Sequence, residues 1–295
     1  MGAPGPLNAA SPRSGSRPKA EWAGHSPSPA LRFLLMNSGP IVIKIGGAVA
    51  GEGAATVDEV AALARSDERL VLVHGGGPLV GEWSQRFGLA TRFEGGLRVT
   101  DPATRDIALA VLAGLVNKRL VAALRARGVT AVGISGADGD LLAVRRAAPS
   151  LGLVGEVVGV RPRVLQVLLE AGLVPLVAPA AIDPHGELVN VNADAVAGAL
   201  AAALSARLLV FVTDVEGLRD ASGAVVRSLD RELAARLIHE GVVSGGMLPK
   251  VDACLAAAAA GCVAAIVPAR DRAAIARLSV GGEAGTVVRP VAAHG

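Results

Sequence analysis

Two lysines are the first candidates for chemistry, because they lie beside glycines in a chain that otherwise uses arginine. Only four of the 29 basic residues are lysines, and two of these, Lys44 and Lys250, adjoin glycine-rich stretches. Lys44 interrupts a run of β-branched residues, 41–45, and a pair of glycines follows that run. Burial of an ammonium group requires an anionic partner, and glycine lets backbone amides approach a ligand closely. The pattern therefore predicts an anion site, with phosphate as the favoured ligand.

A second candidate element is the sequence His-Gly-Gly-Gly at 74–77, which follows an apolar run and precedes Pro78. Proline suits the first turn of a helix, and free amides at a helix N-terminus bind anions. A tight strand-to-helix turn also requires glycine, so this signal is weak by itself. Neither the P-loop pattern nor the dinucleotide-binding pattern Gly-x-Gly-x-x-Gly fits the chain, which disfavours both sites. We interpret His74 as a packed or capping residue rather than a base.

Three further polar residues each have two interpretations. Arg98 could clamp a carboxylate, although the chain has 25 arginines and a surface position is the simpler interpretation. Asp194 lies at a predicted helix start, where a carboxylate favours the helix dipole, or else it holds the two lysines. Asp214 follows the predicted strand 208–212, at the strand end where α/β sheets bind ligands, or else it belongs to a turn.

These residues are connected by alternating β-branched and helical segments. Such repeated βα units predict an α/β fold with a mostly parallel sheet covered on both faces. A weak signal predicts a hairpin at 91–99. Pro102 begins a long predicted helix that ends near Leu124, with Thr100 or Asp101 as its cap, and Asn192 is predicted to cap a helix that ends near Ala203. Strands are predicted at 41–45, 70–73, 129–134, 174–178, 208–212, 263–267 and 286–288, and two short strands at 141–145 and 153–160 are predicted to form a hairpin.

Composition narrows the classes of function. The chain has 295 residues, of which 52% are hydrophobic, so it can bury a large core. Aromatic residues make up 2%, and stacking positions for nucleic acid are therefore scarce. The first 38 residues carry four basic residues and one acidic residue, which leaves 25 basic and 25 acidic residues in the rest of the chain. This balance gives no excess of positive charge of the kind that nucleic-acid-binding proteins use. Cys254 and Cys262 form no Cys-x-x-Cys pair, which disfavours a metal site or a disulfide.

The apolar runs and the N-terminal segment bear on the location of the protein in the cell. The longest apolar runs are interrupted, and we interpret them as helices that lead into buried strands, not as membrane spans. Residues 1–38 contain six of the 17 prolines, and this segment is predicted to be a disordered tail. A start assigned too early, with Met36 as the alternative, would also explain the tail. No secretory signal is recognised, and we expect a cytoplasmic protein without nucleic-acid or membrane partners.

Taken together, the motifs resemble the amino acid kinase family, and within it the branch that phosphorylates N-acetyl-L-glutamate. They occur in the order of the family and cover about residues 40–289. The motifs are Lys44-Ile45-Gly46-Gly47, His74-Gly75-Gly76-Gly77, Gly96-Leu97-Arg98-Val99-Thr100, Val116-Asn117-Lys118, Gly133-Ile134-Ser135-Gly136, Asn190-Val191-Asn192-Ala193-Asp194, Thr213-Asp214-Val215-Glu216-Gly217, Gly245-Gly246-Met247-Leu248-Pro249-Lys250 and Gly285-Thr286-Val287-Val288.

The resemblance implies a three-layer αβα sandwich with two lobes. The first lobe, 39–205, would bind the acyl acceptor and form a homodimer, and the second, 206–290, would bind ATP. Mg²⁺ would be carried on the nucleotide, with no metal held by the protein. The catalytic residues implied are Lys44, Lys250, Asp194, Gly47 and Gly76. The acceptor would be bound by Gly76, Gly77, Arg98 and Asn190. The nucleotide would be bound by Asp214, Val215, Glu216, Gly217, Leu218, Arg219, Val242, Val243 and Ser244.

The implied reaction transfers the γ-phosphoryl group of ATP to the side-chain carboxylate of N-acetyl-L-glutamate, as a step of arginine biosynthesis. Arginine-inhibited members of the family have an N-terminal helix that links dimers, and residues 1–38, rich in Pro and Gly, do not resemble it, so we expect a dimer without strong arginine feedback. Alternatives are a sister kinase that acts on carrier-linked 2-aminoadipate and a non-catalytic metabolite sensor on the same fold. A dinucleotide oxidoreductase is disfavoured by the glycine spacing, and a signalling-protein partner stays open.

Overall fold

The computed structural model describes residues 39–46 and 54–290. The predicted tail, 1–38, and the catalytic candidate Gly47 lie outside these ranges. The strands are β1 (Ile41–Ile45), β2 (Leu70–His74), β3 (Phe93–Glu94), β4 (Leu97–Arg98), β5 (Ala131–Ser135), β6 (Leu142–Arg146), β7 (Val154–Val160), β8 (Val174–Ala178), β9 (Ala180–Ile182), β10 (Leu188–Val191), β11 (Leu208–Thr213), β12 (Val263–Pro268) and β13 (Thr286–Val288). The helices are α1 (Ala54–Arg65), α2 (Gly77–Arg86), α3 (Pro102–Arg125), α4 (Arg163–Glu170), α5 (Ala193–Ala203), α6 (Arg231–His239), α7 (Leu248–Ala259) and α8 (Ala274–Ser279).

A seven-stranded sheet with the order β13-β12-β11-β1-β2-β8-β5 forms the centre of the fold. Its strands are parallel except for β13, which pairs antiparallel with β12. β1 lies in the middle, where it pairs with β2 on one side and β11 on the other. The carboxyl ends of these three strands therefore meet at one edge of the sheet, which is where open α/β sheets bind ligands.

Alternation along the strands divides the core into two layers. Val42 packs in one hydrophobic cluster with Val196 of α5 and Val251 of α7. Its neighbours Ile41 and Ile43 pack in a second cluster, on the opposite face of the sheet. Helices thus cover both faces, and the predicted α/β class with three layers is confirmed. Because β1 pairs directly with β11, the sheet is continuous across the predicted lobe boundary at 205, and that boundary stays a prediction.

A second sheet, of order β6-β7-β10-β9, flanks the first. Its strands β6 and β7 pair antiparallel, which confirms the predicted hairpin at 141–145 and 153–160. The structure adds two features that the sequence pattern did not predict, and the first is strand β9, which follows β8 after a single residue. The long predicted helix, α3, contains a π-helical segment at Ala110–Val116, and Asp101 caps it by accepting from the amide of Thr104. The predicted hairpin at 91–99 is confirmed as two very short strands, β3 and β4.

Helix α3 is also the one element of the described ranges that is long and apolar enough to cross a membrane. It has 24 residues, and an 18-residue window within it has a mean hydropathy of 1.8. Leu120 and Leu124 on one side of this helix pack into the core beside the sheet, with Val111 and Val116. A core helix of a globular domain passes the same length and composition test.

Caps fix two of the helix starts. The Oδ1 of Asn192 accepts hydrogen bonds from the amides of Asp194 and Ala195, at 2.8 and 3.0 Å, which confirms the predicted cap of α5. Asp230 caps α6 in the same way, through a 2.7 Å bond from the amide of Leu233. A side-chain oxygen at this position satisfies backbone donors that the helix itself leaves free.

We predict that Asn192→Ala and Asp230→Ala each lower the free energy of unfolding by about 1 kcal/mol, because each removes an N-cap. Urea denaturation of the two variants beside the parent protein measures this directly. Equal losses in the two variants are expected, since both caps satisfy helix amides; an unchanged midpoint in either would contradict the assigned cap.

Candidate active site

A cleft of about 330 Å³ opens at the edge of the sheet where β1, β2 and β11 end. It brings together most of the catalytic and acceptor-binding candidates from widely separated parts of the sequence. The candidates that line it are Lys44, Gly76, Gly77, Arg98, Asn190, Asp194, Asp214 and Lys250. This convergence was predicted from the resemblance, and the structure supplies the distances.

Asp194 is the centre of a three-residue charge cluster in this cleft. Its Oδ1 lies 2.7 Å from the Nζ of Lys44, and its Oδ2 lies 2.9 Å from the Nζ of Lys250. Lys44 and Asp194 are each only 6% exposed. Lys250 also donates to the carbonyl oxygen of Gly246, at 2.9 Å. Two ammonium groups share one carboxylate, so the cluster carries an unbalanced positive charge that can stabilise an anion.

Local structure explains how the cluster is held. Lys44 extends from the central strand β1, and Lys250 lies in the first turn of α7, next to Pro249. Asp194 lies in the first turn of α5, directly behind the Asn192 cap, where the helix dipole also favours a carboxylate. Each charged group is therefore carried by regular secondary structure, which limits its movement.

The surroundings alter the proton affinity of Lys44. Burial lowers the pKa of Lys44 below the ordinary lysine value of 10.5, because the low-dielectric interior disfavours its charged form. The carboxylate of Asp194 opposes this effect on the pKa, and the positive charge of Lys250 adds to it. Asp214, the next carboxylate in the cleft, raises the pKa of Lys44 more weakly.

The glycine turn 75–77 forms another wall of the cleft. The amide of Gly75 donates to the carbonyl oxygen of Ile45, at 2.9 Å, and so ties the turn to the end of β1. At Gly76 an alanine methyl group would lie 2.6 Å from Cδ2 of Leu112, so the leucine side chain would have to move. The first amides of α2 point out of the helix, as in any helix N-terminus.

Arg98 lines the same cleft as the charge cluster and has no acidic partner in the ranges 39–46 and 54–290. Its guanidinium donates to the carbonyl oxygen of Gly77, at 2.8 Å, and to the hydroxyl of Thr91, at 3.2 Å. It also stacks 4.9 Å from the ring centroid of Phe93, in the hairpin beside it. Burial of this charge lowers the pKa of Arg98 from its ordinary value. A buried guanidinium without a carboxylate partner is suited to binding a carboxylate of a ligand.

The nucleotide candidates are more dispersed. Asp214 lines the cleft and accepts a hydrogen bond from the hydroxyl of Thr213, at 3.0 Å. The side chains of Leu218 and Val243 are buried in the hydrophobic core, so only their backbones are available to a ligand. Val215, Glu216, Gly217, Arg219, Val242 and Ser244 are likewise absent from the residues that line the cleft.

Residue-by-residue reasoning missed several cleft residues. Thr213, Pro179, Leu97 and Leu112 line the cleft but were not named as candidates. Thr213 precedes Asp214 and Leu97 precedes Arg98, so their place next to a candidate residue could have predicted that they line the cleft. Nothing in the local sequence around Pro179 or Leu112 points to a cleft, because long-range packing brings them there.

The Lys44–Asp194–Lys250 cluster at the edge of a seven-stranded, mostly parallel sheet agrees with the family that the sequence motifs resemble. The chain belongs to the amino acid kinase family, whose model matches residues 39–268.

More particular likenesses lie within that family. The chain is 44% identical to acetylglutamate kinase of Synechococcus sp. (strain CC9311), over 81% of this chain and 86% of that protein. It is also 44% identical to acetylglutamate kinase of Methanopyrus kandleri, over 77% of this chain and 93% of that protein. Among solved structures, it is similar in fold to N-acetylglutamate synthase from Neisseria gonorrhoeae, with a TM-score of 0.77 at 22% identity, over 89% of this chain and 62% of that one.

We predict that the Cε resonance of Lys44 titrates with a midpoint below 10.5 in a ¹³C NMR experiment, because burial lowers its pKa. Four lysines give few signals, and Lys44→Arg assigns the one in question. As the pH rises through this midpoint, Lys44 loses its proton and the site loses a positive charge. Asp194→Asn is expected to lower the midpoint further, since it removes the main group that raises this pKa, and the matched Asp214→Asn less. A midpoint at or above 10.5 would contradict the assignment.

Proposed function

We propose that this chain transfers the γ-phosphoryl group of ATP to the side-chain carboxylate of N-acetyl-L-glutamate and produces N-acetyl-L-glutamyl 5-phosphate, a step of arginine biosynthesis. The observation that carries the proposal is the shared cleft, which is lined by the Lys44–Asp194–Lys250 cluster and by Arg98, a guanidinium with no acidic partner among the described residues. Such a cleft can hold an anionic acceptor at one end and phosphates at the other. The likeness to proteins named acetylglutamate kinase supports this choice of acceptor.

The chemistry requires charge stabilisation more than proton transfer. A side-chain carboxylic acid with a pKa of about 4.3 is already ionised at neutral pH, so its oxygen attacks phosphorus without a general base. The difficulty is the approach of an anion to a polyanion. Lys44 and Lys250 would neutralise the transferring phosphoryl group, and Asp194 would keep both ammonium groups directed at it. We assign these three residues to catalysis on that basis.

The acceptor would be recognised at the other end of the cleft. We assign the α-carboxylate of N-acetyl-L-glutamate to the Arg98 guanidinium, whose donors are held by Gly77 and Thr91. Asn190, on β10, is assigned to the acetamido group, because a side-chain amide can both donate to and accept from it. The backbone amides of Gly76 and Gly77 would bind the reacting carboxylate and phosphoryl oxygens.

The nucleotide would enter beside Asp214. We propose that the segments 214–219 and 242–244 contact ATP, with the backbones of Leu218 and Val243 available and their side chains in the core. Mg²⁺ would arrive on the phosphates of ATP. In the described ranges, no group of three or more His, Cys, Asp and Glu side chains is arranged to hold a metal. The buried free thiols of Cys254 and Cys262 support a reducing, cytoplasmic location.

We also propose a homodimer formed through the first lobe. The outer side of α3 supports this, because Ala110, Gly114 and Ala122 are exposed there, in a helix with an 18-residue window of mean hydropathy 1.8. An exposed apolar side of a helix is stabilised when a second copy covers it.

The acceptor is tested by trapping the acyl phosphate with hydroxylamine in the presence of Mg-ATP and N-acetyl-L-glutamate, L-glutamate, L-aspartate or 2-aminoadipate. Product from N-acetyl-L-glutamate alone is expected. Product from another acceptor would assign the chain to a sister kinase, and ATP binding without product from any acceptor would indicate a sensor.

We predict that Lys44→Ala and Lys250→Ala lower kcat by about 10²-fold or more, while the KM for the acceptor changes little, because the lysines stabilise charge in the transition state. Steady-state kinetics measure both constants. Arg86→Ala, which removes an exposed arginine paired with Glu82, is the control and should behave like the parent. An effect on KM alone in either lysine variant would contradict the assignment.

We predict that Ala110→Arg shifts the protein from dimer toward monomer in sedimentation equilibrium, because a buried guanidinium without a partner is costly. Ala235→Arg, at an exposed position of α6, is the matched control and should leave the dimer intact. A dimer that survives Ala110→Arg would place the interface elsewhere.

A further inference from the structure

His74 is a buried titratable residue that the proposed chemistry does not use. It is 0% exposed and lies at the end of β2, directly before the glycine turn. Its Nδ1 lies 2.8 Å from the carbonyl oxygen of Gly75, and its Nε2 lies 3.2 Å from the Nδ2 of Asn117. Asn117 is also fully buried, 43 positions away in the sequence.

The direction of these hydrogen bonds is fixed by the neighbours of Asn117. Lys118 donates from Nζ to the Oδ1 of Asn117, at 3.0 Å, and to the carbonyl oxygen of Gly133, at 2.8 Å. An ammonium group only donates, so this contact identifies the oxygen end of the Asn117 amide. The other end, Nδ2, donates to the carbonyl oxygen of Leu176, at 3.0 Å, and to His74.

The tautomer of His74 follows from this arrangement. Because Nδ2 of Asn117 is a donor, the Nε2 of His74 must accept, and the ring proton must lie on Nδ1. That proton is then donated to the carbonyl oxygen of Gly75. Burial lowers the pKa of His74 to about 4, so the ring stays neutral at physiological pH and can accept at Nε2.

The bond to Gly75 has a consequence for the next amide in the chain. In a trans peptide unit, the carbonyl and the N–H point in nearly opposite directions. The carbonyl oxygen of Gly75 is held by the buried ring of His74, so the N–H of Gly76 in the same peptide unit points the other way. Gly76 lines the cleft, and a Cβ there would lie 2.6 Å from Cδ2 of Leu112 and 3.3 Å from Cγ2 of Val116, so these side chains restrict the position of Gly76. The peptide unit is thus fixed from two sides.

We propose that His74 is a positioning residue, held in one tautomer by Asn117 and Lys118, that orients the Gly76 amide toward the transferring phosphoryl group. The identity of the anion rests on the proposed function. The hydrogen-bond relay, which runs from Lys118 through Asn117 and His74 to the carbonyl oxygen of Gly75, does not depend on that function. The relay also accounts for Gly133, because a Cβ there would lie 1.9 Å from the Oδ1 of Asn117. A histidine that served only as core packing would need neither a fixed tautomer nor a donor to Gly75.

The first test needs no substrate. In ¹⁵N NMR of the unliganded parent protein, the imidazole nitrogens of His74 are expected to show the tautomer with its proton on Nδ1. The signal should stay unchanged between about pH 5.5 and 8, where an ordinary histidine titrates. Asn117→Asp, which replaces the Nδ2 donor by an acceptor oxygen, should place a proton on Nε2. A proton on Nε2 in the parent, or titration near pH 6.5, would overturn the relay, whatever the enzyme catalyses.

The second test separates positioning from packing. His74→Asn keeps an amide donor near the place of Nδ1, whereas His74→Leu keeps volume and loses the donor. We expect His74→Leu to lower kcat by up to about 10²-fold, the effect of losing the Gly76 amide entirely as a donor to developing charge. The KM for the acceptor should change little, and His74→Asn should recover at least about tenfold of that loss. Urea midpoints of both variants show whether either effect is only a loss of folding.

The outcomes of the two tests are distinct. Equal kcat losses in His74→Asn and His74→Leu that follow their losses of stability would overturn the positioning role. Absence of kinase activity in the parent protein would refute the proposed function, while the NMR result would still decide the tautomer and the relay.

Discussion

The site depends on one carboxylate that serves two ammonium groups. Asp194 holds Lys44 and Lys250 at 2.7 and 2.9 Å, and without it two like charges would share a largely buried cleft. Charges of the same sign in such a place would repel each other and lower the pKa of at least one lysine. One carboxylate is enough to hold the pair but too little to neutralise it. The remaining positive charge favours an anion in the cleft, as the proposed phosphoryl transfer requires, so stability and the proposed function make opposite demands on the same residue.

The fold meets these demands by bringing rigid elements to one edge. β1, β2 and β11 are adjacent and parallel, so the residues at their carboxyl ends converge without any long loop. Asp194 and Lys250 come from helices on the same face of that sheet, and those helices pack against each other through Val196 and Val251. Gly198 allows this close approach, because a Cβ there would lie 3.0 Å from the Cβ of Ala253. The distance between the two charges on these helices is thereby set by core packing.

Much of this arrangement could be predicted from local sequence, and the reasons are physical. A lysine inside a β-branched run, followed by glycines, indicates both a buried strand and an anion-binding site. Asn192 indicates a helix start, because its side-chain oxygen can accept from the first helix amides. The parts that escaped prediction depend on contacts far apart in the chain. Asn117 lies inside a helix, where no local rule distinguishes a buried residue that bonds distant strands from an ordinary polar residue on the helix surface. Strand β9 is three residues long, too short for alternation to indicate it, and pairing with β10 defines it. Leu218 and Val243 were assigned to the nucleotide by motif, but their side chains complete the core.

The contact between Gly76 and Leu112 links two positions that are 36 apart in the sequence. The methyl group of any alanine at 76 would compete for the space that Cδ2 of Leu112 fills, 2.6 Å away. The two positions therefore share one volume: a side chain can be added at 76 only if one is reduced at 112. In other sequences of this fold, a larger residue at the position of Gly76 should therefore occur together with a smaller one at the position of Leu112. An attempt to widen the cleft by shortening Leu112 would remove the steric reason for glycine at 76 and, with it, one of the two restraints on the peptide unit between Gly75 and Gly76.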